Sequence, residues 1–140
     1  MSDIPEVDAP EAKESHTMLI ATILLSVVLA AVAQIMLKQG MIQVTTRSGA
    51  FTPTSVMSLK AAAMTPLVWI GLLTFGLSAL VWLAVLSRAP LSFAYPFASL
   101  TYVIILLYGK FIADEPVSPT RWAGVALIIA GIVLVSRGPA

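Results

Sequence analysis

Four apolar runs, none with an acidic residue inside it, leave this chain few folds to choose from. They extend from about Met18 to Gln39, Pro66 to Leu86, Leu91 to Ala113 and Pro119 to Ser136. A helix rising about 1.5 Å per residue needs roughly 20 residues to cross about 30 Å of hydrocarbon, so each run is long enough to span a bilayer. Inside lipid every backbone N–H and C=O must be satisfied within the protein, which makes each span a helix. The composition agrees: 140 residues, 59% hydrophobic, 11% charged, mean hydropathy +0.96. The expected fold is an all-α integral membrane protein of four transmembrane helices.

Several function classes drop out. There is no cysteine, and His16 is the only histidine. A metal site is therefore not expected, and no cofactor motif is present. The net charge of +1 comes without a basic stripe, which excludes a nucleic-acid partner. No Ser/His/Asp set and no pair of carboxylates within the spans suggests covalent chemistry, so an enzyme is not expected. Asp3, Glu6, Asp8, Glu11 and Glu14 against Lys13 give the N-terminus the wrong sign for a signal peptide. Residues 1–14 read as a disordered acidic tail, and 15–140 as one four-helix domain with a long loop over 41–65.

Local signals mark the ends. Gly40, after Lys38 and Gln39, sits where a left-handed residue would close the first helix. Thr54 to Ala63 suit a short helix with Val56, Met57 and Leu59 toward the membrane and Lys60 snorkelling to headgroups. In the second run Gly71, Thr74, Ser78 and Trp82 fall roughly on one side. In the third, Ser92, Tyr95, Ser99 and Tyr102 share a face, and Pro96 should kink the helix. Ser118 and Pro119 make a cap and first turn for the fourth helix. Gly124 and Gly131, flanked by Ala123, Ala126 and Ala130, read as a packing or dimerisation surface. Lys13, Arg88 and Arg137 on one side oppose Lys38, Arg47, Lys60, Lys110 and Arg121 on the other. Without Lys38 and Lys110 the bias vanishes, so charge leaves orientation open and permits head-to-tail pairing.

The chemistry centres on a row four residues apart: Thr22, Ser26, Ala30, Gln34 and Lys38. Each step of four advances about 400°, a drift of roughly 40°, so only Ala30, Gln34 and Lys38 can line one site. Thr22 and Ser26 are left to bond backbone carbonyls or to admit a neighbour. Lys38 is either a snorkelling anchor or the ligand of an anion, and Gln34 one turn earlier favours a cavity or a partner helix. A proton-coupled cation exchanger needs a carboxylate buried among the helices, and none lies in any span. Asp114 and Glu115 are either a solvated turn pairing with Arg121 or part of the site. Arg88 is a headgroup anchor or a bidentate phosphate ligand. Hydroxyls and amides suit a sugar; one or two cations suit a phosphodiester.

Gln34-Ile-Met-Leu-Lys38-Gln-Gly40, the run Ala89-Pro90-Leu-Ser-Phe-Ala-Tyr95-Pro96 with Ser99-Leu100, and Glu115-Pro116-Val-Ser-Pro119 leading to Trp122, Gly124 and Gly131 resemble the drug/metabolite transporter superfamily. More narrowly, the chain is similar to the small four-helix subunits of the bacterial undecaprenyl-phosphate aminoarabinose flippase. The likeness covers all four helices, with the tail before Ser15 and the loop over 41–65 outside it. It implies a subunit of a homodimer or heterodimer, surrounded by membrane lipid, that carries a polyprenyl-phosphate-linked sugar across the bacterial inner membrane. Small multidrug resistance proteins of the same superfamily differ: they carry a glutamate where this chain has Ala30 and an aromatic at Ala98.

On that resemblance Lys38, with Arg88 or Lys60, holds the phosphate. Gln34, Ala30, Tyr95, Ser99, Tyr102, Trp82 and Glu115 line the cavity for the sugar, and the prenyl tail stays in lipid. The alternatives are a small-multidrug-type exporter of cations or metabolites with Glu115 as its coupling acid, and a non-transporting helper that assembles through Gly124 and Gly131.

Overall fold

The computed structural model describes residues 9–138. Six helices follow in order: α1 (Ala9–Ser48), α2 (Val56–Ala63), α3 (Pro66–Leu86), α4 (Leu91–Ala98), α5 (Leu100–Phe111) and α6 (Pro119–Ser136). Four stretches are long and apolar enough to cross a membrane: Ser15–Ser48, Pro66–Leu86, Leu91–Phe111 and Pro119–Ser136. α4 and α5 are thus one span broken in the middle, and α2 is a short connecting helix whose Val56, Met57 and Leu59 are exposed.

The spans run up, down, up and down. Gly40 against Val68, Leu37 against Gly71 and Ser26 against Ser78 set the antiparallel register of α1 and α3. α4 and α5 then run parallel to α1, with His16 against Phe93 near one end and Gln39 against Tyr108 near the other. α6 returns along them, its Val125 packing with Val103 and Leu106, and its Ile132 with Phe93 and Phe97. α1 and α3 make the most extensive contact, whereas α6 touches only α4 and α5.

Two expected boundaries move. α1 does not close at Gly40 but continues to Ser48, so much of the expected loop is helix. Gly40 serves close approach instead: a Cβ there would lie 2.8 Å from Val68 Cγ2 and 3.1 Å from the Val68 backbone nitrogen. The hydroxyls beyond it are absorbed by the helix, Thr46 and Ser48 each donating 2.8 Å bonds to carbonyls one turn back. The left-handed residue that ends α1 is Gly49 at φ +76°, whose N–H donates to the Thr45 carbonyl. At the other end α1 begins at Ala9, so 9–14 belong to its first turns; the reading of 1–8 as a disordered tail lies outside the described residues.

Pro96 lies inside α4, and the break in the third span comes three residues after it. The helix breaks at Ser99, where three-residue hydrogen bonds replace four-residue ones: Ser99 N–H to the Pro96 carbonyl at 3.2 Å and Tyr102 N–H to the Ser99 carbonyl at 3.1 Å. The Ser118 hydroxyl accepts from the Arg121 N–H at 3.4 Å and caps α6 above Pro119. Among the described residues no buried side-chain polar atom lacks a partner, as a low-dielectric surround demands.

Candidate functional site

The polar row on α1 divides less cleanly than its drift predicts, because Ser26 both bonds α3 and shares a cavity wall with Ala30 and Gln34. Thr22 donates to its own helix at the Met18 carbonyl, 2.8 Å away. Ser26 donates across to the Ser78 carbonyl at 3.1 Å, and Ser78 returns the bond to the Ser26 carbonyl at 3.2 Å. These reciprocal bonds clamp α1 to α3, while Ala30, Gln34 and Lys38 turn toward α5.

Two cavities follow that face, and a third adjoins them beyond Glu115. The first, about 340 Å³, is largely apolar and is bounded by Ser26, Ala30, Gln34, Phe75, Trp82 and Thr101, with no Asp or Glu in its wall. The second, about 210 Å³, is lined by Gln34, Lys38, Ile105, Tyr108, Gly109 and Glu115. The third, about 230 Å³, takes Tyr102, Ile105, Gly109, Glu115 and Arg121. Gln34 is common to the first and second; Glu115 and Gly109 are common to the second and third. An apolar space between helices thus leads, past one amide, to a charged end.

The charged end is built by three local features. Lys38 lies ten residues before the end of α1, on a turn held in place by Gly40 and Leu37 against α3. Gln39 Nε2 donates to the Tyr108 hydroxyl at 2.7 Å and ties the same turn to α5. After α5, Asp114 adopts a left-handed φ of +50°, and the Glu115 N–H donates back to the Gly109 carbonyl at 2.8 Å. That reversal brings the Glu115 carboxylate onto Lys38 in a salt bridge whose side chains remain 47% and 42% exposed. Gly109 makes the room, since a Cβ there would stand 3.1 Å from Glu115 Oε2.

The structure brings some expected residues together and separates others. Ala30, Gln34 and Trp82 line the first cavity, Lys38 and Glu115 the second, Tyr102 the third. Tyr95 lies outside these walls and packs edge-on against Trp82, ring centroids 5.9 Å apart. Ser99 is corrected from cavity lining to helix repair, because its hydroxyl is spent on the Pro96 carbonyl at the break. The twist introduced there turns Ala98 and Thr101 to the first cavity instead.

Arg88 cannot share a phosphate with Lys38. It precedes Ala89, which packs with Ile23 and Phe93 at the opposite end of the bundle. Fifteen residues of α1 separate Ile23 from Lys38, about 22 Å of helix. Lys60 lies at the same end as Lys38 but on α2, outside the three cavity walls. Glu115 pairs with Lys38 rather than with Arg121, although Arg121 borders it from the third cavity. Gly124 and Gly131 meet nothing within 4 Å, so they form no part of the packing inside the chain.

In the sequence Ser78 reads only as part of one helix side and Arg121 as a partner for Asp114 and Glu115, while Tyr108 carries no signal. Their roles depend on which helices face each other.

A model of the EamA-like transporter family matches residues 14–137, through all four spans and through the 41–65 segment that the likeness had left aside. The chain belongs to that family. It is a transporter, and a multi-pass protein of the bacterial inner membrane. Its relatives include the probable 4-amino-4-deoxy-L-arabinose-phosphoundecaprenol flippase subunit ArnE of Pseudomonas fluorescens (strain Pf0-1), 47% identical over 53 residues covering 38% of this chain and 46% of that one. The protein of the same description from Serratia proteamaculans (strain 568) is 46% identical over 55 residues, 39% of this chain and 48% of its own. That of Escherichia coli (strain K12 / DH10B) is 47% identical over 51 residues, 36% and 46%. The chain therefore spans about half the length of the curated relatives it matches. No solved structure matches.

Proposed function

We propose that this family member is a flippase for a polyprenyl phosphate bearing a sugar, with an amino sugar such as aminoarabinose as the leading candidate. One observation carries the reading: an apolar space between helices ends, through Gln34, at a charged pocket holding Lys38. That gradient suits a ligand with a hydrocarbon tail, one phosphate and a hydroxylated head. Lys38 takes the phosphate, the tail leaves between helices past Trp82, and Gln34, Tyr102 and Glu115 meet the sugar. The acid-free wall of the first cavity favours this over a small-multidrug-type cation exporter, which needs a carboxylate there. The relatives' descriptions as flippase subunits point the same way.

A second four-helix subunit, a copy of this chain or a similar one, fits against α6, where Gly124 and Gly131 leave open space for a neighbouring backbone.

The test is transport of lipid-linked sugar in proteoliposomes. Lys38→Ala and Gln34→Ala should each abolish or sharply reduce it. Unchanged transport in both variants would sink the assignment.

A further inference from the structure

Glu115 neutralises the one cation of the second cavity, and a phosphate must meet it there. With the carboxylate in place, two anions would compete for one ammonium, and their repulsion opposes binding. Arg121 borders the same carboxylate from the third cavity, and no side-chain partner of its guanidinium is present among the described residues. Lys38, Glu115 and Arg121 thus form a row of two cations around one anion.

Both cations line cavities whose walls include Glu115. Glu115 and Gly109 belong to the walls of both cavities, and Oε2 already lies over Gly109, where a Cβ would stand 3.1 Å away. The Glu115 backbone is fixed by its bond to the Gly109 carbonyl at 2.8 Å, so only the side chain needs to turn. The Lys38 pair is nearly half exposed, and such pairs contribute little net stability and exchange readily.

We propose that Glu115 is a movable counter-ion: a lipid-borne phosphate takes Lys38, and the carboxylate crosses over Gly109 to Arg121. Arg121 is then a positioning residue that accepts the displaced anion without touching the phosphate. The carboxylate's single charge is shared between the two cations, so as lipid takes Lys38 the pairing of Glu115 with Arg121 strengthens. This inference rests on the reading of Lys38 as the phosphate ligand.

A double-mutant cycle tests it, with the purified full chain in nanodiscs and undecaprenyl phosphate as the probe. Glu115→Gln should tighten binding about tenfold by removing the competitor. Arg121→Gln should weaken it about tenfold in the parent chain, Arg121→Lys should restore it, and Arg121→Gln should have no effect once Glu115→Gln is present. Thermal unfolding of each variant verifies that the fold is retained. Weakening by Arg121→Gln in the Glu115→Gln background would make Arg121 a direct ligand and overturn the exchange, as would weaker binding in Glu115→Gln alone or no effect of Arg121→Gln in the parent. Lys38→Gln separates the two levels: undiminished binding there overturns the phosphate site itself, whereas loss there with a failed Arg121 cycle overturns only the exchange. Inorganic phosphate should compete poorly; displacement of the lipid at equal concentration would assign the site to free phosphate instead.

Discussion

Helix α1 meets α3 on one side and α5 on the other, and the two seams are built on opposite terms. Toward α3 the backbones close up: Gly40 and Gly71 each leave no room for a methyl group, and Ser26 and Ser78 exchange hydroxyl bonds across the contact. Toward α5 the helices stand apart, and cavities fill the space. That seam is bridged at the end by Gln39 to Tyr108 and Lys38 to Glu115, polar pairs that a ligand can exchange. In lipid there is no hydrophobic force to press helices together, so close packing and interhelical hydrogen bonds must do it. The α3 seam uses both and serves as the scaffold. The α5 seam forgoes packing and keeps volume and charge, which is what a transport site needs.

Substitutions can separate the seams. Gly71→Leu should be the most damaging, because its Cβ alone would lie 2.8 Å from Leu37 Cγ and 3.1 Å from the Leu37 backbone nitrogen. Overpacking of this kind costs about 3 kcal/mol, read as a lower unfolding temperature in detergent. Gly76→Leu on the same helix, with nothing within 4 Å, should change stability by no more than about 0.5 kcal/mol. If both glycines tolerate leucine equally, the closed seam is not the scaffold.

Lys38→Gln comes next and acts on the other seam. It should weaken binding of the phosphate lipid by about 2 kcal/mol, roughly 30-fold, by removing a charge-assisted contact. Unfolding should barely move, since the ion pair it breaks is half exposed. Replacing Ser26 and Ser78 together by Ala should cost about 1 kcal/mol of stability, near the usual worth of two interhelical bonds in a membrane protein. Tyr108→Phe, which deletes the acceptor of Gln39, should cost about 0.6 kcal/mol. Arg88→Gln should leave phosphate-lipid affinity unchanged, because it lies beside Ala89 at the end of the bundle opposite Lys38. A measurable loss of affinity there would break the assignment of the site to the Lys38 end.

Much of this division was legible in particular residues. The drift of a four-residue repeat predicts that Thr22 and Ser26 part from Ala30, Gln34 and Lys38; Thr22 does, bonding the Met18 carbonyl, whereas Ser26 lines the first cavity with Ala30 and Gln34, and Lys38 lines the second. Ser118 caps α6 as predicted, since a cap is local to a few bonds, whereas Pro96 stays inside α4 and the break comes at Ser99. Gly40 misled because glycine serves both as a helix stop and as a helix contact, and only a neighbour at 2.8 Å distinguishes them. Ser99 misled because a stripe drawn on a straight helix does not survive the break. The pairing of Arg88 with Lys38 failed for a simpler reason: one follows the second apolar run and the other the first, so alternating spans already put them on opposite sides.

The sequence by itself determined that this chain spans a membrane four times, that its third span carries a proline, and that no acid sits within a span. Those properties follow from length, local hydrogen bonding and residue type, and need no partner. Only the tertiary structure decided that Lys38 faces Glu115 across 77 positions of chain and that Gly109 leaves the carboxylate its place. It also decided that Gly40 and Gly71 lock one seam while Gly124 and Gly131 remain open. Such contacts depend on the relative rotation and register of whole helices, and the small, apolar residues that permit one arrangement look the same in the sequence as those that permit another.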